Sequence, residues 1–137
     1  MVSISKQSGL SWTTLTVDNS TGSSNTDIRN DVTNFAFSTP RAVQDVTGID
    51  KAAMERLLLL ADFSTTLNLV FNASLSHLVF STVPTTSVSR TTVFTVAGSS
   101  MTAECLYTDY PLTRSASGEL TAAVPGVLVN GTPHTWS

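Results

Sequence analysis

The segment "DFSTTLNLVF" (residues 62–71) alternates almost perfectly between apolar and polar side chains. Successive side chains of an extended chain point to opposite faces, so such a segment has one apolar face and one polar face. The apolar face carries Phe63, Thr65, Leu67, Leu69 and Phe71. From Ser64 to Val70, the opposite face carries hydroxyls, an amide and one valine, without a charge. The segment therefore predicts a half-buried strand whose second face is neutral.

The composition indicates a single β-rich domain. At 137 residues, the chain is long enough to bury one ordinary core. Charged residues make up only 12% of it, about half the usual share. Hydroxyl residues take their place, since 19 Ser and 22 Thr account for 41 of the 137 positions. Threonine suits a pleated, half-buried surface better than a helix, so the composition favours strands.

Charge and hydropathy argue against several classes of function. The net charge is −3 and the seven basic residues are scattered, so there is no basic stripe to neutralise nucleic-acid phosphates. The longest apolar run, Leu57–Ala61, is far shorter than the roughly 20 residues that span a bilayer. The first ten residues lack the apolar region of a signal peptide. We therefore expect a protein made in, and retained in, the cytosol, with no membrane partner.

Alternation elsewhere in the chain predicts further strands. The segments that alternate are 11–17, 32–39, 90–98, 100–114 and 119–129. A tight hairpin turn is expected at Gly98-Ser99, between two of these segments. The lone Cys105 cannot form an internal disulfide and is expected to be buried in a strand. Residues 18–31 are rich in turn-forming residues and predict a flexible loop or turn region.

Residues 72–83 change to a helical period. Their apolar side chains are spaced i, i+3, i+4 and i+8, at Leu75, Leu78, Val79 and Val83. Asn72 or Ser74 is available as the N-cap, and Pro84 ends the segment. A helix with one apolar stripe must bury that stripe against a sheet. The predicted architecture is a mainly β domain over residues 1–137, a β-sandwich or partial barrel with one short packed helix.

The segment 40–61 concentrates charge. It holds six of the seventeen charged residues, which are Arg41, Asp45, Asp50, Lys51, Glu55 and Arg56. Asp50 could cap a short helix over Lys51–Leu60, whose residues have helical propensity. The alternative is an extended loop laid across a neighbouring molecule. About 22 residues exceed the usual length of a hairpin connection, and long ordered loops are generally functional.

No constellation of residues points to an active site or a cofactor. His77 and His134 are far apart, and neither has Cys, Asp or Glu at metal-ligand spacing. The chain has no G-x-S-x-G nucleophile elbow and no Gly-rich phosphate loop. Asp27 and Asp31 could be interpreted as the paired carboxylates of a glycosidase. A solvated turn with Arg29 between the two carboxylates is the better explanation of this pattern. We therefore expect no catalysis and no bound cofactor.

The neutral strand faces are the remaining functional signal. Strands that face water normally carry charge, which prevents edge-to-edge association. A neutral, Thr-rich face is instead suited to packing against another copy of the chain. The alternative is a monomeric β-sandwich binding module of a virion or cell surface. Such a module would need a concave aromatic cluster, yet Trp12 and Trp136 lie at the two ends of the sequence.

Three stretches of the sequence resemble one known family. They are "STPRAVQDVTG" (38–48), "MERLLLLADFS" (54–64) and the ending from "YTDYPLTR" to "GELTAAVPGVLVNGTPHTWS" (107–137). In their order and spacing they resemble the tail tube (major tail) proteins of long non-contractile-tailed bacteriophages, especially those of actinobacterial hosts. The resemblance covers roughly residues 27–137.

The resemblance implies a β-sandwich with one flanking helix that assembles into hexameric rings. The inner strands of a ring would join a ring-wide β-barrel, and stacked rings would form a tube through which DNA passes without specific binding. Implied partners are further copies of the chain, the tape measure protein, and the tail terminator and tail tip proteins. The implied location is the virion tail, after synthesis in the cytoplasm of the bacterial host.

The resemblance also suggests roles for particular residues. The segment 40–61 corresponds in position to the ring-stacking loop of the family. The expected inter-ring or inter-subunit contacts are Arg41, Asp45, Asp50, Lys51, Glu55, Arg56, Leu57 and Leu58. A channel lined by acidic or neutral groups would repel DNA, and six copies at −3 each carry a formal −18. The expected lumen-facing acidic residues are Glu104, Asp109 and Glu119.

Overall fold

The computed structural model describes residues 9–19 and 24–137. This part of the chain consists mainly of β-strands, with a 3₁₀ turn at Gly9–Ser11 and one α-helix, α1 (Ser76–Phe80). The strands are β1 (Trp12–Asp18), β2 (Asn25–Asp27), β3 (Val32–Ser38), β4 (Arg41–Asp45), β5 (Arg56–Ala61), β6 (Ser64–Val70), β7 (Arg90–Val96), β8 (Ser99–Tyr107), β9 (Leu112–Arg114), β10 (Leu120–Leu128) and β11 (Thr135–Trp136). The predicted mainly β fold with one short helix is confirmed.

Nine of these strands form one antiparallel sheet in the order β2-β1-β7-β8-β10-β6-β3. Two short strands join this path, because β11 pairs with β8 and β9 pairs with β10. The other two strands, β4 and β5, pair with each other in a separate two-stranded sheet. This separation sets one segment of the chain apart from the main body.

The main sheet folds back on itself and encloses an aromatic core. Phe35 of β3 stacks on Phe94 of β7, with ring centroids 5.2 Å apart, although these strands are distant in the sheet order. Trp12 meets the ring of Phe35 edge-on at 4.7 Å, and Phe37 lies 5.0 Å from Phe94. Offset and edge-on ring pairs of this kind add to the hydrophobic stabilisation of a core. The result is the predicted sandwich-like packing.

Strand β6 has the two faces that its sequence predicts. Phe63, Leu67 and Leu69 are completely or almost completely buried. Thr65 shares their face, and its hydroxyl donates a hydrogen bond of 2.8 Å to the carbonyl of Ala36. The strand lies between β3 and β10, so its backbone is paired on both edges.

Helix α1 is shorter than the sequence predicts, and its N-terminus is satisfied differently. Its N-cap is Leu75, which makes no side-chain capping bond, so the prediction of Asn72 or Ser74 was wrong. The backbone N–H of Ser76 donates instead to a carboxylate oxygen of Asp31, 3.1 Å away. The side-chain amide of Asn72 donates to the other oxygen at 3.0 Å. A capping group 45 positions upstream leaves no local signal in the sequence.

The apolar stripe of the helix also differs from the prediction. Val79 and Val83 are buried as expected, but Leu78 is 60% exposed. Phe80, which the i, i+3, i+4 pattern left out, is completely buried and meets Tyr107 edge-on at 5.2 Å. The i, i+3, i+4, i+8 pattern describes a helix of two or more turns. Because α1 spans little more than one turn, it buries fewer side chains than that pattern predicts.

Among the described residues, Arg90, at the start of β7, is the largest fully buried side chain and is only 1% exposed. Its guanidinium donates to the carbonyls of Val79 and Asp18 and, at 3.0 Å, to the hydroxyl of Thr82. Burial lowers the pKa of Arg90, while nearby groups that include Asp18 act in the opposite direction. This side chain ties the end of helix α1 to β1 and β7.

Other predictions need local corrections. Residues 18–31 include β2, which pairs with β1. The Asp27–Arg29 ion pair is present at 2.9 Å, but Asp31 is buried rather than solvated. The predicted strand 100–114 is two strands, β8 and β9, and the hairpin turn before β8 lies at Ala97-Gly98, where φ is 50° and 83°. These left-handed values suit a two-residue hairpin turn.

Candidate assembly surfaces

Within residues 40–61, strands β4 and β5 form an antiparallel hairpin that is joined by an irregular loop over residues 46–55, and there is no helix. Strands β4 and β5 pair from Arg41 opposite Ala61 to Asp45 opposite Arg56. The predicted helix over Lys51–Leu60 is therefore wrong. The hairpin continues the β3–β6 pair, because the N–H of Asp62 donates to the carbonyl of Pro40 between the two ladders. Pairing that extends from an existing ladder overrides the helical propensity of this segment.

The register of the hairpin assigns its side chains to two faces, since residues directly opposite share a face. Val43 lies opposite Leu58, and Gln44 lies opposite Leu57. We call the surface of Val43 and Leu58 the Leu58 face. We call the surface of Gln44 and Leu57 the Leu57 face.

Both faces of the hairpin are open. Leu57 and Leu58 are each 54% exposed, and Leu60 is 91% exposed. Among the residues that the structure describes, fifteen large hydrophobic side chains are exposed, and eight of them lie in this hairpin. The eight are Val43, Val46, Ile49, Met54, Leu57, Leu58, Leu59 and Leu60. Contiguous exposed apolar surface of this kind marks an interaction site.

Most of the charged side chains of the hairpin are engaged within it. The guanidinium of Arg41 donates to the carbonyls of Leu59, at 2.8 Å, and Leu58, at 3.4 Å. A register shift lies next to Arg41, and these bonds satisfy carbonyls beside it. At the hairpin tip, the ammonium of Lys51 lies 3.6 Å from Asp50 and 3.8 Å from Glu55.

Thr47 joins the two ends of the loop that connects β4 to β5. Its hydroxyl and its backbone N–H both donate to the carboxylate of Asp45, and these bonds lower the pKa of Asp45. The same hydroxyl accepts a hydrogen bond from the N–H of Glu55 at 2.8 Å. Of the six charged side chains in the hairpin, only that of Arg56 makes no hydrogen bond or ion pair with any described residue, although its backbone pairs with Asp45. Arg56 is therefore the charge best placed to meet a partner.

A shallow groove lies at the root of the hairpin, with a volume of about 850 Å³. Its lining is mostly apolar and comprises Arg41, Ala42, Leu58, Leu59, Leu60, Ala61 and Pro133. Pro133 belongs to the C-terminal segment, so the chain end borders the hairpin. The groove continues the exposed apolar surface onto the main body of the protein.

The outer face of the main sheet is the second candidate surface. On β3, β6, β7, β8 and β10, the side chains that point away from the core are Asn34, Ala36, Ser38, Ser64, Thr66, Asn68, Val70, Thr91, Val93, Thr95, Ser100, Thr102, Glu104, Leu106, Thr121, Ala123, Pro125 and Val127. Glu104 is the one charged residue among them, and its carboxylate accepts a hydrogen bond of 2.7 Å from Thr91. We call this surface the neutral sheet face.

The three acidic residues expected in the lumen occupy different settings. Glu104 lies on the neutral sheet face, whereas Asp109 is exposed between β8 and β9. Glu119 lies in the β9–β10 connection and accepts hydrogen bonds from Ser115 and Ser117. Within the described ranges, no three His, Cys, Asp or Glu residues are grouped so that they could hold a metal ion. No helix in the described part of the chain is long and apolar enough to cross a membrane.

The histidines and the cysteine have structural surroundings. The ring of His77 lies 4.8 Å from that of Phe71, and its Nδ1 lies 3.2 Å from the Tyr110 hydroxyl. His134 lies beside Phe63, with ring centroids 6.0 Å apart. Cys105 is completely buried in β8, as expected, and burial raises the pKa of its thiol to about 11. A thiol with such a pKa is a poor nucleophile.

Comparison with known proteins identifies the fold. No protein-family model matches the sequence, and no curated protein matches it. Among solved structures, the chain is similar to a chain of the tail of an empty gene transfer agent particle with C6 symmetry. That likeness has a TM-score of 0.73 and 16% identity, and it covers 96% of this chain and 99% of the other. A chain in the virion of the native gene transfer agent particle gives a TM-score of 0.71 at 14% identity, with the same coverage.

At such low identity, the likeness concerns the fold. The protein therefore has the fold of chains that occur in the virion and in a C6-symmetric tail. The coverage includes almost the whole of both chains.

Proposed function

We propose that this protein is a structural protein of a phage-type tail, and specifically the tail tube protein of a long non-contractile-tailed bacteriophage. In this proposal, six copies form a ring, and stacked rings enclose a channel through which DNA passes during ejection. The observation that carries it is the hairpin, which exposes apolar side chains on both faces while the body of the protein has a complete core. Such a segment is stable in water only when something covers it.

The proposal gives each candidate surface a role. The hairpin of residues 40–61 joins successive rings, its leucines supply the affinity, and Arg56 contributes to register. The neutral sheet face joins the barrel that lines the channel, where closure removes the exposed strand edges. A lining with hydroxyls and Glu104, and without basic groups, would let DNA slide without binding it.

The fold supports this proposal because one of its structural neighbours belongs to a C6-symmetric tail. The sequence resemblance to actinobacteriophage tail tubes adds the finer assignment. The remaining partners in the proposal are the tape measure protein inside the tube and the tail terminator and tip proteins at its ends. The protein would be made in the host cytoplasm and reside in the virion tail.

The alternative of a monomeric binding module gains no support from the aromatic residues. Trp12 packs against Phe35 and Phe94 rather than forming a recognition surface. Trp136 is exposed, but Phe37 is its one ring neighbour among the described residues. These two tryptophans do not form the concave aromatic surface that a binding module would need.

Electron microscopy of purified protein at high concentration tests the proposal. Negative stain should show rings or long tubes of uniform diameter, if necessary after a lag or in the presence of a tail-end nucleus. A second sample would carry the hairpin shortened between Arg41 and Glu55 to a few Gly and Ser. We expect this variant to fold and to form no tubes. Wild-type protein that stays monomeric under every condition would refute the proposal.

A further inference from the structure

We propose that Asn130 is a site of spontaneous covalent modification, at which its side-chain amide closes onto the backbone nitrogen of Gly131 and is then hydrolysed to a carboxylate. The site lies in the turn that connects β10 to β11, outside both strands. The reaction needs only water as a co-reactant. This inference does not depend on the proposed function.

The sequence singles out this asparagine. Of the seven asparagines in the chain, only Asn130 is followed by glycine. Any other residue would carry a Cβ beside the backbone nitrogen that must attack, whereas glycine leaves that nitrogen accessible. Gly131 has a left-handed φ of 73°, and a Cβ built there would meet no atom within 4 Å. The turn is therefore open around the attacking atom.

The structure also holds the amide in place for the attack. Asn130 is exposed, and the backbone N–H of Thr132 donates a hydrogen bond of 3.1 Å to its Oδ1. This bond folds the side chain back over the peptide group of Gly131, as in an Asx turn. It also places a donor on the oxygen that becomes negative when the nitrogen attacks, as an oxyanion hole does. Among the described residues, the N–H of Gly131 has no hydrogen-bond partner, so its nitrogen is free to react.

The reaction has a closing step and an opening step. In the first, the nitrogen of Gly131 gives its proton to water and bonds to Cγ of Asn130. The Cγ–Nδ2 bond then breaks, and Nδ2 takes up a proton and leaves as ammonia, so that a cyclic imide remains. Water opens the imide either at Cγ, which gives aspartate, or at the main-chain carbonyl carbon of Asn130, which gives isoaspartate. Both products carry a carboxylate in place of the neutral amide.

The modification changes the surface beside the hairpin. The new carboxylate adds one negative charge to a chain whose formal net charge is −3. Pro133, which follows closely in the sequence, lines the apolar groove at the root of the hairpin. Isoaspartate also adds a carbon to the main chain before β11, whose Thr135 pairs with Thr102 of β8. A modified subunit therefore differs in charge and in backbone length where the main sheet borders the hairpin.

Peptide mapping by mass spectrometry tests the site. The purified free subunit would be held in mildly alkaline buffer, sampled over time and digested. Asn72 is the internal control, because the N–H of Ser74 donates to its Oδ1 at 3.0 Å in the same way, but Ala73 follows it. We expect Asn130 to lose its amide at least about tenfold faster than Asn72 and to give both aspartate and isoaspartate. If Asn130 keeps its amide as long as Asn72 does, the inference is overturned.

Three variants test the route. Gly131→Ala puts a Cβ beside the attacking nitrogen and should slow the reaction by about tenfold or more, with circular dichroism to check that the variant is folded. Asn130→Gln keeps the glycine but would have to close a larger ring, so it should also stay unmodified. Asn130→Asp supplies the reference mass and the reference elution on ion exchange. A Gly131→Ala variant that reacts as fast as the wild type, or a product without isoaspartate, would contradict closure through the imide.

Discussion

Asp31 provides the sharpest test of the packing, because an apparently solvated turn residue is buried at 4% exposure. Its two carboxylate oxygens accept hydrogen bonds from the N–H of Ser76 and the side-chain amide of Asn72. Asp31→Asn leaves one acceptor oxygen and turns an amide group towards one of these donors. We therefore expect the loss of one charge-assisted bond, which costs about 1.5–3 kcal/mol.

Asp27→Asn is the matched control, since it is the same substitution four positions away. Asp27 is exposed and pairs with the exposed Arg29, so we expect a cost of roughly 0–1 kcal/mol. Urea unfolding of the dilute free subunit, followed by circular dichroism, would measure both free energies. For a chain of this size, the Asp31 variant should also lose roughly 5–10 °C in Tm. Equal effects of the two substitutions would refute the assignment of Asp31 as the distant cap of α1.

Three further predictions concern the core. Gly126→Ala would place a Cβ 2.9 Å from a ring carbon of Tyr107 and 3.1 Å from the Thr65 methyl group, so urea unfolding should show a loss of about 1–3 kcal/mol. Arg90→Met leaves two buried carbonyl oxygens and the partly buried Thr82 hydroxyl without their donor, and we expect a loss of about 3–5 kcal/mol in the same assay; a neutral result would contradict the buried network. Burial raises the pKa of the Cys105 thiol from 9.0 to about 11, so the unfolded chain loses this proton at a lower pH than the folded protein does. The thiol's contribution to the free energy of unfolding is therefore complete below pH 9 and is lost as the pH rises towards 11. Cys105→Ala should reduce the fall in unfolding free energy measured over that range.

Strands with regular alternation could be predicted from the sequence, because the period of two directly reports which face is buried. β6 shows this most clearly, from Phe63 to Leu69. The burial of Arg90 could also have been predicted. In the alternation of β7, Arg90 lies on the same face as the buried Thr92 and Phe94. The burial of Asp31 had no such signal, because Asn72 and Ser76, the donors that hold its carboxylate against the helix, lie more than 40 positions away.

The candidate surfaces could be predicted only in part. The length and charge of residues 40–61 marked the segment as unusual. Four consecutive leucines are equally compatible with a buried helix and a strand, so local pattern could not decide its structure. The pairing of β4 with β5, which assigns Leu57 and Leu58 to opposite faces, depends on a register that the sequence does not show.

A cryo-electron microscopy reconstruction of the assembled protein would show the ring symmetry, the contacts of the hairpin and the channel wall in one measurement. We expect sixfold rings stacked into a tube, with the hairpin of residues 40–61 reaching the next ring. The channel wall should be neutral or acidic. Hairpins that point into solvent from the outside of the assembly, or a strongly positive channel wall, would contradict the proposed function.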